Sequence, residues 1–399
     1  NRVLSAANCV SSRESKIGRM AVPTSNYGWF YVKKPDPVPK ADDIFELRGM
    51  DVPELKEGMV LVKTLGAVVA PHTRAFLELP GNDVGAEAAG LQRTKIGEVV
   101  PCELVAEVVA TKSNRYSIGD RVMSFVPLQQ YWAFRGDGKD RPGGMAPPKV
   151  MGGGSAESAL NVSAGLTAYM VVNKHPCGRV DDPCCSGGLL GCFGFLRPKP
   201  QKTVLVTSAA GGVGIVAGQL YKNKGCKVIG VTSTKQKADK IKDIGFDAAV
   251  AYKEEDLDAR LGELAPDGID VFFDNVGAAQ LDIGSKHMKV GGKIVQVGCQ
   301  AEIDNYATGN ITGWKEYHRM TAREMLVGGF LLSNHMSEIP AAFLSLMLMQ
   351  KRGKLKSVET TIRGGWQQFT ECIDRLRTGD TFGRLILMFD DQTETAMGA

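Results

Sequence analysis

The residues that most plainly promise chemistry are Ala209, Gly211 and Gly214 in the run TVLVTSAAGGVGIVAGQL. They fill the three positions of G-x-G-x-x-G, with alanine replacing the first glycine, after a β-branched run and before a helical one. Glycine at 211 lets backbone approach a pyrophosphate, glycine at 214 lets helix and strand pack closely, and a helix N-terminus offers unpaired N–H donors to the anion. In that strand, turn and helix context the motif predicts a dinucleotide cofactor. The next β-run ends at VIGVTSTKQK, where an NAD enzyme would place an acid for the adenosine ribose hydroxyls. Ser233, Lys235 and Lys237 stand there instead. A hydroxyl and two cations suit a 2′-phosphate, so the expected cofactor is NADP(H).

Metal chemistry is not expected, because a zinc site needs several ligands at workable spacing. His72, His175, His287, His318 and His335 are isolated from one another. Among the nine cysteines, Cys102, Cys226, Cys299 and Cys372 sit in apolar, element-like settings and read as reduced thiols. Cys177, Cys184, Cys185 and Cys192 form C-x6-CC-x6-C in a Gly-rich stretch, without the paired C-x2-C of a zinc ribbon.

Such a turn needs a sheet to hold it. From Thr203 onward TVLVTS, KVIGVTS, AAVAY, DVFFDNV and KIVQVG are five β-runs separated by helical segments. They predict a doubly wound parallel sheet buried on both faces. Upstream, VLVKTL, ELVAEVVAT and RYSIGDRVM predict short strands joined by polar turns, up to about residue 135. The Gly- and Pro-rich stretch 135–154 reads as a loop, and SAESALNVSAGLTAYMVV after it as a helix. Beyond the parallel sheet, helices are expected over 339–350 and 366–377. A last β-run, RLILMF, is expected to return to the first unit.

A chain of 399 residues supports two cores. Hydrophobic residues make up 43% and charged ones 23%, and no apolar run approaches the roughly 20 residues that would span a bilayer. The 48 basic and 44 acidic residues are scattered, leaving a net charge of +4. That distribution carries no nucleic-acid footprint and is compatible with a small anionic ligand.

In order and spacing, SAAGGVG, GCKVIGV, Lys237, IGFDAAVAY, PDGIDVFFDNVG and IVQVG resemble the prostaglandin reductase, curcumin reductase and alkenal double-bond reductase branch of the zinc-independent medium-chain dehydrogenase/reductases. Upstream, VVAPHTRAF resembles that branch's D-P-Y-M-R segment, IGEVVPCELVAEVV its G-E-V segment and AGLTAY its G-L-T-A-Y motif, so the match runs from about 27 to 390. The resemblance implies an α/β chain with a GroES-like β-rich catalytic domain over 21–164 and 336–399, and a Rossmann NADP-binding domain over 165–335. It also implies site residues. Gly211, Gly212, Val213 and Gly214 would hold the pyrophosphate and Lys237 the 2′-phosphate, with Tyr252 beside it. Asn275 and Gly298 would line the cleft, Phe330 and Leu331 would flank the nicotinamide, and Tyr306 falls within one residue of the branch's active-site tyrosine. This chain departs from the branch in three places. EIDNYATG surrounds Tyr306, Thr381 stands where G-x-N-x-G-K has asparagine, and a Cys-rich insertion occupies about 174–197.

With no zinc-ligand pattern, a carbonyl would be polarised by hydrogen bonds alone, which suits reduction of an activated C=C bond. The expected activity is therefore NADPH-dependent hydride transfer to the β-carbon of an enal or enone, with Tyr306 or the cofactor ribose holding the developing enolate. Alternatives are a quinone oxidoreductase on the same fold, or an accessory subunit of a larger assembly that kept the cofactor fold without efficient chemistry. A homodimer through the Rossmann edge strands follows from the resemblance. The insertion reads as a partner surface, a redox loop or a tolerated excursion. Residues 1–20 carry four basic residues and one acid, Glu14. They read as a disordered leader in a cytoplasmic protein, or as part of a mitochondrial or plastid transit segment.

Overall fold

The computed structural model describes residues 23, 25–34, 40–75, 77, 93–141, 146–150, 155–174, 201–303 and 311–390. The first β-runs mix buried and partly buried side chains and fold as an antiparallel layer. β1 (Asn26–Tyr31) pairs with β2 (Phe45–Met50). β3 (Met59–Val68), β4 (Pro101–Thr111) and β5 (Arg121–Pro127) form successive antiparallel neighbours, while β6 (Tyr131–Arg135) covers the first half of β3. Trp29, Tyr31, Phe45, Trp132 and Phe134 fill the core on this side.

The second sheet is parallel throughout. Its strands are β7 (Thr203–Val206), β8 (Lys227–Thr232), β9 (Ala248–Ala251), β10 (Ile269–Asp274), β11 (Met288–Gln296) and β12 (Leu326–Gly329). Their spatial order is β12-β11-β10-β7-β8-β9, the doubly wound arrangement in which strand order reverses between β7 and β10. Apolar clusters cover both faces, which is why β7 and β8 are almost wholly buried. The sequence patterns anticipate five of these strands. β12 escapes them because it is only LVGG, a short edge strand with half its residues glycine.

Two features join the layers. The helix Ala156–Lys174 is buried along most of its length and runs without a break through the expected boundary at 164/165. Gly165 of the AGLTAY motif lets it approach the helix Ile339–Lys351, since a Cβ there would lie 3.0 Å from Leu346. After β13 (Glu359–Gly364) and the helix Gln368–Thr378, β14 (Arg384–Phe389) returns to the first sheet, between β13 and β3. That is the place expected for RLILMF.

Arg384, at the start of β14, donates to Glu103 of β4 at 2.6 Å and reaches Ser163 at 3.4 Å. Nearby, His72 lies with its ring 5.6 Å from Phe125 and its Nε2 sealed from solvent. Burial, reinforced by the Arg384 cation, pushes the His72 imidazole down to about 3 from an ordinary 6.5. A base whose folded pKa is depressed stabilises the fold fully above its unfolded pKa and loses that contribution as pH falls toward the folded value. Stability is therefore expected to decline between pH 6.5 and 3, and His72→Phe to flatten part of that slope in denaturant melts. A titration of the assigned His72 ring resonances between pH 8 and 5 should show no protonation step.

Candidate functional site

The site grows from the turn between β7 and the helix Gly212–Asn223. No side chain caps this helix, so the N–H groups of its first turn, at Gly212, Val213 and Gly214, have no intrahelical partner and face the crevice at the strand-order reversal. Gly211 N–H donates back to the Ser208 carbonyl at 2.9 Å, and Ser208 itself takes a positive φ of 49°. A Cβ on Gly214 would lie 2.3 Å from the Ser208 carbonyl oxygen and 2.9 Å from Ala209 Cα, so helix and strand end meet through bare backbone. Ala209 in place of the first glycine is accommodated from the opposite strand. It is fully buried, donates to the Val231 carbonyl at 3.0 Å, and faces Gly230, where a Cβ would come within 2.9 Å of the Ala209 methyl. Bare backbone and first-turn N–H groups without intrahelical partners form a cradle that could hold a pyrophosphate.

The far wall is the β10 end, FDNVG. Asp274 is wholly buried. Its carboxylate accepts from Thr207 Oγ1 at 2.8 Å, from Val276 N–H at 3.1 Å and from Gly277 N–H at 3.0 Å. Burial pushes the Asp274 carboxyl above the usual range, against the pull of those donors. Gly277 supplies the positive φ of 73° that aims its N–H at the carboxylate. Asn275 Nδ2 donates to the Thr207 carbonyl at 2.7 Å, so its amide ties the ends of β7 and β10 together. Gly298 sits close behind, where a Cβ would lie 2.8 Å from the Asn275 carbonyl. Phe330 follows β12, donates through its backbone to Gln296 at 3.0 Å, and stacks its ring on His335 at 4.9 Å; Leu331 beside it is exposed.

At the other end of the crevice, Ser233 and Thr234 link β8 to the helix Lys235–Ile244, with Thr234 Oγ1 capping Lys237 N–H at 3.4 Å. Tyr252 is exposed beside this turn, its N–H bound to the Thr232 carbonyl at 2.9 Å. Lys237 is half-buried and its Nζ donates to the Gly379 carbonyl. Burial pulls the Lys237 ammonium down, while Asp380 opposes and Lys253 and Lys240 reinforce the fall. The structure thus gathers Gly211–Gly214 with Asn275 and Gly298 at the middle of the crevice, and Ser233, Lys237 and Tyr252 at one end. Tyr306, residues 175–197 of the Cys-rich insertion and the leader 1–20 lie outside the described residues.

Asp274, Thr207 and Glu254 escape a reading of the sequence. Asp274 and Thr207 hold the crevice floor together although only Asn275 stands out in the motif. Glu254 accepts from Lys235 N–H at 3.1 Å, which brings an acid from beyond β9 to the very turn whose own run contains none. The segment Gly379–Gly383 closes against the cradle, with Gly383 N–H bonded to the Ala210 carbonyl at 2.8 Å.

Two family models match the chain, "zinc-binding dehydrogenase" over residues 212–348 and "N-terminal domain of oxidoreductase" over residues 28–140. Together with the relatives below, the two models support membership of the zinc-independent branch of the medium-chain dehydrogenase/reductase superfamily. It is 28% identical over 361 residues to a Bacillus subtilis (strain 168) protein named as an NADP-dependent oxidoreductase, covering 90% of this chain and 96% of that one. It is 29% identical over 350 residues to prostaglandin reductase 1 of Rattus norvegicus, covering 87% and 94%. The crystal structure of CurA from Vibrio vulnificus, also solved with NADPH, shares the fold with a TM-score of 0.76 at 22% identity, covering 92% of this chain and 99% of that one. No described helix is long and apolar enough to cross a membrane.

Gly214→Ala drives a methyl into the Ser208 carbonyl, so the turn must open. Dinucleotide affinity is expected to fall at least tenfold, with a stability loss of about 1–3 kcal/mol, measured by cofactor titration and thermal melts of the same sample.

Proposed function

We propose that the protein is an NADPH-dependent reductase of the activated C=C bond of α,β-unsaturated aldehydes or ketones. The cofactor lies in the cleft between a unit built from residues 21–164 and 336–399 and a unit built from 165–335. The observation that carries the reading is the cation set at the end of β8. Lys237, with Ser233 and Tyr252 beside it, offers a charge and hydroxyls to a 2′-phosphate in line with the Gly211–Gly214 cradle. The likeness to prostaglandin reductase 1 across both halves of the chain supports an activated alkene as substrate.

NADPH supplies the hydride when bound. The chain's part is to place and polarise. Gly212, Val213 and Gly214 N–H groups fix the pyrophosphate, and Asn275, Gly298, Phe330 and Leu331 bound the nicotinamide end of the crevice. Tyr306 hydroxyl is assigned to the substrate oxygen, where a donor aimed at developing negative charge counts most.

The subunits are proposed to pair through β12. Its outer edge has no neighbour among the described residues. Leu326 is 53% and Val327 39% exposed there, and Tyr317, Met320 and Leu331 add further exposed apolar surface.

The reading is tested by NADPH oxidation with an enal, an enone and a quinone, and with NADH in parallel. Enal or enone turnover with NADPH preference is expected. Lys237→Ala should raise the NADPH KM by about tenfold or more, as expected for loss of a charged hydrogen bond, and leave that of NADH alone. Tyr306→Phe should lower kcat about a hundredfold. Turnover of quinone alone would instead identify a quinone oxidoreductase, and cofactor binding without turnover an accessory subunit. Light scattering should give the mass of a dimer for the native chain and of a monomer for Val327→Asp; a native monomer overturns the β12 interface.

A further inference from the structure

The segment Gly379–Gly383 is held at both ends of the phosphate lane. At one end Gly383 N–H bonds to the Ala210 carbonyl at 2.8 Å and Gly383 lies alongside Gly211. Gly383 is fixed there, because φ is 81° and a Cβ would meet the Val358 carbonyl oxygen at 2.1 Å. At the other end the Gly379 carbonyl accepts from Lys237 Nζ. Between them Phe382 is locked by Thr360, which donates to its carbonyl at 2.9 Å and accepts from its N–H at 3.0 Å, and Lys240 Nζ sits 5.3 Å from the centre of its ring. Asp380 is exposed, follows Gly379 directly, and is anchored by its N–H to the Arg375 carbonyl at 2.8 Å. Asp380 thus follows directly the residue whose carbonyl holds Lys237 Nζ, and its negative charge acts on Lys237 against the charges of Lys253 and Lys240, while Glu254 accepts from Lys235 N–H.

We infer that Asp380 is a specificity-determining residue that works against the 2′-phosphate, setting how strongly this site prefers NADPH to NADH. The inference rests on the cofactor reading above. A phosphate arriving at Lys237 shares the ammonium's donors with the Gly379 carbonyl and enters near a carboxylate of the same sign. The lysines attract it and Asp380 repels it, so the net field is weaker than the count of cations suggests. NADH brings no phosphate to this place and should be indifferent to the residue. Because Asp380 is exposed, its effect is screened by salt, and neutralising it leaves the packed parts of the segment untouched.

The experiment is titration of NADPH and of NADH into the native chain, Asp380→Asn and Lys237→Ala, followed by protein fluorescence, with melting temperatures recorded for each. Asp380→Asn is expected to tighten NADPH roughly three- to tenfold at low salt, an interaction of the size a partly screened charge pair supplies. The gain should shrink at about 0.5 M salt, where the screening length is only a few ångströms, and NADH affinity should stay constant. Unchanged NADPH affinity, or an equal change for both cofactors, overturns the inference. If Lys237→Ala weakens NADPH but Asp380→Asn does not tighten it, the role of Asp380 alone fails. If Lys237→Ala leaves NADPH binding as it was, the cofactor reading fails with it.

Discussion

A helix start must come close enough to a strand end that no side chain fits between them, and the rest of the site is arranged around that approach. At Gly214 the spacing admits only hydrogen. The same closeness turns the first-turn N–H groups toward the crevice, so a packing constraint and an anion-binding property have one origin. The alanine at 209 shows how strictly the volume is conserved. The Ala209 methyl fits because its neighbour Gly230 has none, and a Cβ at 230 would meet Ile241 and Phe246 as well as Ala209.

Buried charge flanks the turn on both sides. From the parallel sheet comes Asp274, surrounded by hydroxyl and N–H donors; from the other sheet come Arg384 and Glu103, paired at 2.6 Å. Neither would be tolerated alone in so dry a setting. Each is satisfied by groups from elements far apart in sequence, so each works as a register mark. Asp274 fixes the end of β10 relative to β7, and Arg384 fixes β14 relative to β4 and the helix Ala156–Lys174.

Much of this could be read from the amino-acid sequence, for physical reasons. Continuous apolar runs between helical patterns can be buried only in a parallel sheet covered on both faces, so β7 to β11 are plain. A four-residue edge strand containing two glycines has neither the length nor the pattern to be seen, and β12 is missed. Side-chain type singles out Lys237 as a candidate phosphate ligand. Its actual partner, the Gly379 carbonyl, is 142 residues away and is a backbone atom, which no residue preference marks. Glu254 is hidden for a related reason, since the fold rather than the local run brings it to the start of the helix Lys235–Ile244.

The position of β14 has a consequence for how the chain comes into being. The second half of β3 is lined on one side by β4 and on the other by residues 386–388 of β14. As the chain emerges from the ribosome, all six strands of the parallel sheet are available before β14 is, so the unit that begins first is finished last. Until the final strand arrives, β3 presents an open edge next to the apolar residues that should bury it. N-terminal-first assembly is thereby inverted, and the cradle can be complete while the sheet that faces it still waits for its last strand.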